Sequence, residues 1–99
     1  MERLFTYGTL QDPEVQKQVF GRVADMHSDA LKGYRKSVIK LKGKVYPIAV
    51  YDASSLIEGM TLEATQEEIL MMDKYETSAY KRIEVTLASG QRAWVYCRP

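Results

Sequence analysis

Ser37-Val38-Ile39-Lys40-Leu41-Lys42-Gly43-Lys44-Val45-Tyr46-Pro47-Ile48-Ala49-Val50-Tyr51 is the stretch on which the fold class turns. Ser37 to Leu41 and Val45 to Tyr51 are rich in β-branched and aromatic residues, and Gly43 interrupts them, the pattern of strands separated by a turn. Gly33 and the segment Asp52 to Ser55 supply further breaks, so the region from Ala24 to Leu62 is predicted to hold three or four short strands. Toward the N-terminus, Arg3 to Tyr7 is apolar and aromatic and stops at Gly8, a buried strand running into a loop. A helix follows: Asp12 is a good N-cap, Pro13 suits the first helical position, Val15 and Val19 lie one turn apart, and Gly21 offers a stop. Toward the C-terminus, Thr65-Gln66-Glu67-Glu68 is a capping-box signature with Ala64 and Ile69 placed as a hydrophobic staple. The second helix therefore starts at Gln66 and ends near Tyr75 or Glu76. Tyr80 to Leu87 alternates, with Ile83, Val85 and Leu87 on one face, and Ala88 to Gln91 turns it back into a strand from Arg92 to Cys97. Strands outnumber helices and do not alternate with them, which argues α+β over a doubly wound sheet and favours a curled sheet or small barrel.

Length agrees with one unit, residues 1–99. A chain of 99 residues lies far below the ~250 to 300 at which single cores split, so a two-domain enzyme that sandwiches a cofactor is excluded. The composition, 45% hydrophobic and 27% charged, is that of an ordinary globular domain. A net charge of +1 is too small for long-range attraction to nucleic acid or to a membrane surface. Cys97 is the only cysteine, which rules out an internal disulfide and an all-cysteine metal site within one chain and fits a reducing, cytoplasmic compartment. Met1-Glu2-Arg3 passes straight into a strand without the apolar run of a signal peptide, and no stretch approaches the ~20 apolar residues of a membrane span.

Among residues able to carry chemistry, Glu76 is the sharpest anomaly. With Ile69 at zero and about 100° per residue, Met72 falls near −60°, Asp73 near +40° and Glu76 near −20°, so Glu76 points along the apolar stripe. A carboxylate held there has its pKa raised by the low dielectric and keeps a fraction protonated near neutral pH, as a general acid/base requires. The competing reading is a frayed helix end with Glu76 turned outward, and Asp73 reads equally as a cap or a salt-bridge partner. Tyr7-Gly8-Thr9-Leu10 joins a strand to a helix through a turn whose successive N–H groups can bind an anion, while Gly8 lets a carboxylate approach the main chain. An ordinary strand-to-helix turn has the same residues, and neither phosphate-loop pattern occurs. Lys32, Arg35, Lys36, Lys40, Lys42 and Lys44 form a basic run without an acid, either a nucleic-acid patch or the wet face and edge of strands. His27, the only histidine, and Cys97 lack a local partner pattern for nucleophilic catalysis. Trp94 and Tyr96 read as core or pocket wall.

Leu4-Phe5-Thr6-Tyr7-Gly8-Thr9-Leu10, Gly43-Lys44-Val45-Tyr46-Pro47, Asp73-Lys74-Tyr75-Glu76 leading to Tyr80-Lys81-Arg82, and Ala93-Trp94-Val95-Tyr96 together resemble the gamma-glutamylcyclotransferase-like family, in its order and from residue 4 to residue 96. The resemblance implies a small mixed β-barrel with short flanking helices. It implies intramolecular aminolysis: the free α-amine of a γ-glutamyl amine or dipeptide attacks its own γ-carbonyl, giving 5-oxoproline and a free amine, with no cofactor. Carried over by position, Glu76 would be the catalytic acid/base, Tyr7, Gly8, Thr9 and Leu10 the substrate-binding turn, and Tyr80 and Arg82 supporting residues. Tyr80 would donate to Glu76 or close the pocket, and Arg82 would pair with an acid inside the barrel. Thr77 departs from the pattern, since Gly is frequent there. The expected partner is a small γ-glutamyl compound rather than nucleic acid or membrane. A noncatalytic binding module that keeps the pocket is the rival class.

Overall fold

The computed structural model describes every residue from Met1 to Pro99. Five strands form one sheet: β1 (Glu2–Thr6), β2 (Met26–Leu41), β3 (Lys44–Ala64), β4 (Lys81–Thr86) and β5 (Arg92–Cys97), in the spatial order β2-β3-β1-β5-β4. All neighbours are antiparallel except β1 and β5, which run parallel with Leu4 opposite Trp94, so the sheet is mixed. Helix α1 (Pro13–Phe20) and helix α2 (Gln66–Glu76) complete the α+β fold, with single 3-10 turns at Thr9–Gln11 and Thr77–Ala79.

Both helices begin and end where their caps dictate. Asp12 accepts a hydrogen bond from the Glu14 N–H at 2.9 Å, Pro13 takes the first position, and Gly21 closes α1 in the left-handed region at φ 80°. Thr65 and Glu68 form a reciprocal capping box at the start of α2, and Ala64 and Ile69 are both buried in the same cluster, as the staple requires.

The region read as three or four short strands is instead two long ones, β2 and β3, which form one hairpin ribbon. Leu41 pairs with Lys44 across a two-residue turn, with Lys42 at φ 49° and Gly43 at φ 79°. The turn chemistry of Asp52 to Ser55 is present, since Asp52 Oδ1 accepts from the Ser54 N–H at 3.2 Å and from its hydroxyl at 3.0 Å. It does not end the strand. Lys32 pairs with Leu56 and Tyr34 with Tyr51, so four residues of β3, 52 to 55, stand opposite Gly33 alone, which takes φ 85°. A bulge of this kind bends and twists the ribbon.

The bend curls the sheet into a half-barrel. The far half of the ribbon swings round until the Ala49 N–H donates to the Tyr7 hydroxyl at 2.8 Å and the Arg98 N–H donates to Ala49 O at 3.0 Å. At the near half, the Ala88 N–H donates to Ala30 O at 2.8 Å and the Ser89 hydroxyl to Asp29 at 2.6 Å, tying the β4–β5 turn to β2. Alternation along each strand sends side chains to two cores. Leu4, Leu62 and Tyr96 pack with Phe20, Ile69 and Met72 of the helices, whereas Phe5, Leu31, Ile57, Val95 and Cys97 fill the curl. No helix is long and apolar enough to cross a membrane.

Candidate active site

A cavity of about 320 Å³ opens where β1 ends, bounded by the first loop, the tip of the β2–β3 ribbon and the end of α2. Tyr7, Gly8, Thr9 and Leu10 form one wall, Tyr46 and Pro47 come from the ribbon, and Tyr75, Glu76 and Tyr80 close the third side. The turn and the glutamate, 66 or more residues apart in sequence, thus border one hollow.

Glu76 is the last residue of α2 and the only carboxylate in this lining. Its position follows from the wheel, since Ile69 and Met72 on the same stripe are fully buried. No hydrogen bond or ion pair reaches its oxygens, and burial raises its pKa from 4.5 to about 7. Near neutral pH such a group is divided between its acid and base forms. The helix stops at this residue because the next one leaves helical geometry: Thr77 adopts φ 60° and ψ −169°, a conformation nearly restricted to glycine. This accounts for the glycine expected there and marks Thr77 as a strained substitute.

Asp73, one turn earlier, is held very differently. Burial pushes its pKa up, but the paired Arg82 bonds at 2.8 and 3.1 Å and the Tyr96 hydroxyl at 2.6 Å outweigh this and leave it below its ordinary value. The Arg82 guanidinium also stacks over the Trp94 ring, 4.3 Å from its centroid, and the Trp94 indole donates to Glu2 at 2.9 Å. Arg82 therefore pairs with an acid, but with Asp73 of α2 on the helix side of the sheet rather than inside the barrel, outside the cavity and without touching Glu76.

The first loop is built for close approach. A Cβ on Gly8 would stand 3.0 Å from Pro47 Cγ, so a larger residue would press against the Pro47 ring. Its turn uses carbonyls, with the Gln11 N–H donating to Gly8 O at 3.1 Å and the Asp12 N–H to Thr9 O at 3.0 Å, and no turn, loop or cap bond takes up the N–H of Gly8, Thr9 or Leu10. Gln16, fully buried, anchors this loop. Its amide donates to Leu10 O at 2.8 Å while its carbonyl accepts from the Ala24 N–H at 2.9 Å. Sequence reasoning missed Gln16, whose partners are all tertiary, and gave Tyr46 and Pro47 no role although their motif was visible.

The Tyr7 hydroxyl is fully engaged, donating to Tyr96 O and accepting from the Ala49 N–H, and burial raises its pKa above the usual phenol value. Tyr80 lines the cavity, but its hydroxyl donates to Pro47 O at 2.8 Å rather than to Glu76. Burial, followed by the Glu76 charge, raises its pKa to about 12. Across the mouth, the Thr9 and Tyr75 hydroxyls meet at 2.8 Å. Tyr96 lines the cavity floor, while Trp94 packs against the helix-side core. His27 is exposed on β2, and Cys97 is buried in the curl, where burial raises the thiol pKa. The six residues of the basic run are all exposed along the ribbon. No group of three or more His, Cys, Asp or Glu side chains is placed to hold a metal ion.

The family model described as gamma-glutamyl cyclotransferase, AIG2-like, matches residues 4–99. The chain belongs to this family. An AIG2-like protein C of Arabidopsis thaliana is 39% identical over 87 residues, covering 85% of this chain and 49% of the relative. An AIG2-like protein A of the same plant is 30% identical, covering 86% and 51%. A solution structure of an Arabidopsis thaliana protein superposes with a TM-score of 0.83 at 25% identity, covering 98% of this chain and 68% of that one. The chain thus spans about half the length of the curated relatives it matches. The fold shared with that solution structure extends over nearly the whole chain, and the family supports binding of a small-molecule substrate.

Proposed function

We propose that the protein is a γ-glutamyl cyclotransferase that converts a γ-glutamyl amine or dipeptide into 5-oxoproline and a free amine, with Glu76 as its acid/base. The observation that carries this reading is one unpaired carboxylate, with a pKa near 7, bordering the same hollow as the open N–H groups of the first loop. The amides of Gly8, Thr9 and Leu10 bind the substrate's α-carboxylate. This anchors the flexible glutamyl chain with its amine near Glu76, a positioning effect of the kind that dominates ring closures.

Ionised Glu76 takes a proton from the α-ammonium, which cannot attack while protonated. The freed amine nitrogen bonds to the γ-carbonyl carbon, and the resulting tetrahedral centre carries the negative charge on oxygen. As the carbonyl re-forms, the bond to the departing nitrogen breaks and Glu76 delivers the proton there. The attacking nitrogen loses a second proton on becoming a ring amide, and at neutral pH the product amine leaves as an ammonium. No external reactant is consumed. Free Cys97 fits work in a reducing compartment such as the cytoplasm.

The test is incubation with a panel of γ-glutamyl compounds and measurement of 5-oxoproline. Product is expected from the parent protein, and Glu76→Gln should lose about 10²- to 10⁴-fold in rate. Equal rates in the two proteins would remove Glu76 from the chemistry. Ligand-induced stabilisation without product from any compound would make the protein a binding module.

A further inference from the structure

Two charged side chains line the cavity, and they carry opposite signs: Glu76 and Lys42. Lys42 takes part in none of the protein's ion pairs, so neither group neutralises the other. Lys42 is exposed and stands at the rim, at the tip of the β2–β3 ribbon. Its backbone is left-handed at φ 49° and is followed by Gly43 at φ 79°. Those are the two central positions of a hairpin turn in which Asn-Gly is the favoured pair. A lysine in the first of them sets a local preference aside, and residues held in sparsely populated backbone regions cluster at ligand clamps. Four other lysines and arginines of the basic run, Lys32, Arg35, Lys36 and Lys40, lie on the strand and do not line the cavity, which separates Lys42 from the solvated face.

We infer that Lys42 is a specificity-determining residue that favours substrates whose departing amine carries its own negative charge. This rests on the cyclotransferase reading above. The glutamyl end of the substrate brings one carboxylate and one amine. With the loop amides taking the first and Glu76 the second, the rim cation is left for whatever extends beyond the bond that breaks. A γ-glutamyl amino acid has a carboxylate there, and a simple γ-glutamyl amine has none. Leu41, Tyr46 and Tyr75 give the rim an apolar surface for the stem of that group. A cation at an exposed rim acts through screened attraction, so its contribution is modest and sensitive to salt.

The experiment compares γ-glutamyl-alanine with γ-glutamyl-alaninamide, which differ by one charge beyond the reacting bond. The parent protein should prefer the charged compound by about three- to fivefold in kcat/KM at low ionic strength. The preference should shrink as salt is added. Lys42→Asn, which installs the residue this turn favours, should fold with an unfolding temperature no lower than the parent's and bring the ratio close to one. Lys42→Arg should keep the preference. A ratio unchanged in Lys42→Asn would overturn the inference. An equal fall for both compounds would do the same, because it would place Lys42 on the glutamyl end that they share. Absence of 5-oxoproline from this pair and from every other compound of the panel would defeat the cyclotransferase reading alone, and the preference would then be read by calorimetric binding of the same pair. Loss of that preference in Lys42→Asn sustains the role of Lys42, whereas equal binding or no binding by the parent refutes it.

Discussion

Asp73 and Glu76 sit one turn apart on the same helix and are driven in opposite directions. Burial acts on both, but Asp73 is met by the Arg82 fork and the Tyr96 hydroxyl, which hold it ionised, while Glu76 meets no hydrogen-bond or ion-pair partner. Partnering and depth act together: Asp73 is the shallower of the two and is held by its partners, whereas Glu76 lies deeper, has none, and can exchange a proton near neutral pH. Two like groups whose surroundings split their pKa values are a means of separating structural from acid/base duty.

Exchanging each carboxylate for its amide gives the widest separation. Glu76→Gln should remove at least about 100-fold of the cyclisation rate without lowering stability. Asp73→Asn should leave the Glu76 titration in place but weaken both Arg82 bonds, costing about 1 to 3 kcal/mol. For a domain of this size that is a fall of roughly 5 to 15 °C in unfolding temperature, read by calorimetry. If Asp73→Asn proved as inactive as Glu76→Gln while remaining as stable as the parent, the division of labour would be reversed.

The pH dependence sharpens the contrast. In the reaction proposed for it, attack requires ionised Glu76, so kcat/KM should rise through a midpoint about 7 before other groups limit it. The stability effect has the opposite sign. Folded Glu76 keeps its proton up to about 7, whereas the unfolded carboxyl releases it near 4.5, so between those values the native state binds more protons and loses stability as pH rises. Glu76→Gln should therefore raise the unfolding temperature above pH 7, and the gain should vanish toward pH 4.5. The smallest effect concerns the turn that sets Glu76 in place. Thr77→Gly should relieve backbone strain and stabilise the protein by about 1 kcal/mol, with the Glu76 midpoint unmoved.

Much of this arrangement was legible in the chain. The capping box fixed the phase of α2, and from that phase the wheel placed Glu76 and Asp73 on the buried side of the helix. What the wheel could not distinguish was their different fates, because Arg82 and Tyr96 reach Asp73 from outside the helix, on β4 and β5. The ribbon was misread for a related reason. Asp52, Ser54 and Gly33 carry real turn chemistry, and only the pairing of Lys32 with Leu56 and Tyr34 with Tyr51 shows it absorbed as a bulge in a continuing strand. Gln16 gave no signal, since a glutamine on a short helix ordinarily faces water and this one is committed to Leu10 and Ala24.

The bulge opposite Gly33 divides the ribbon between two jobs. Its root, 26–32 with 56–64, pairs within the sheet, while its outer arm carries Leu41, Lys42, Tyr46 and Pro47 to the cavity. Changes in the arm can accordingly retune what the hollow accepts while the framework that folds the chain is left alone, so diversification of substrate preference should concentrate in residues 41 to 47.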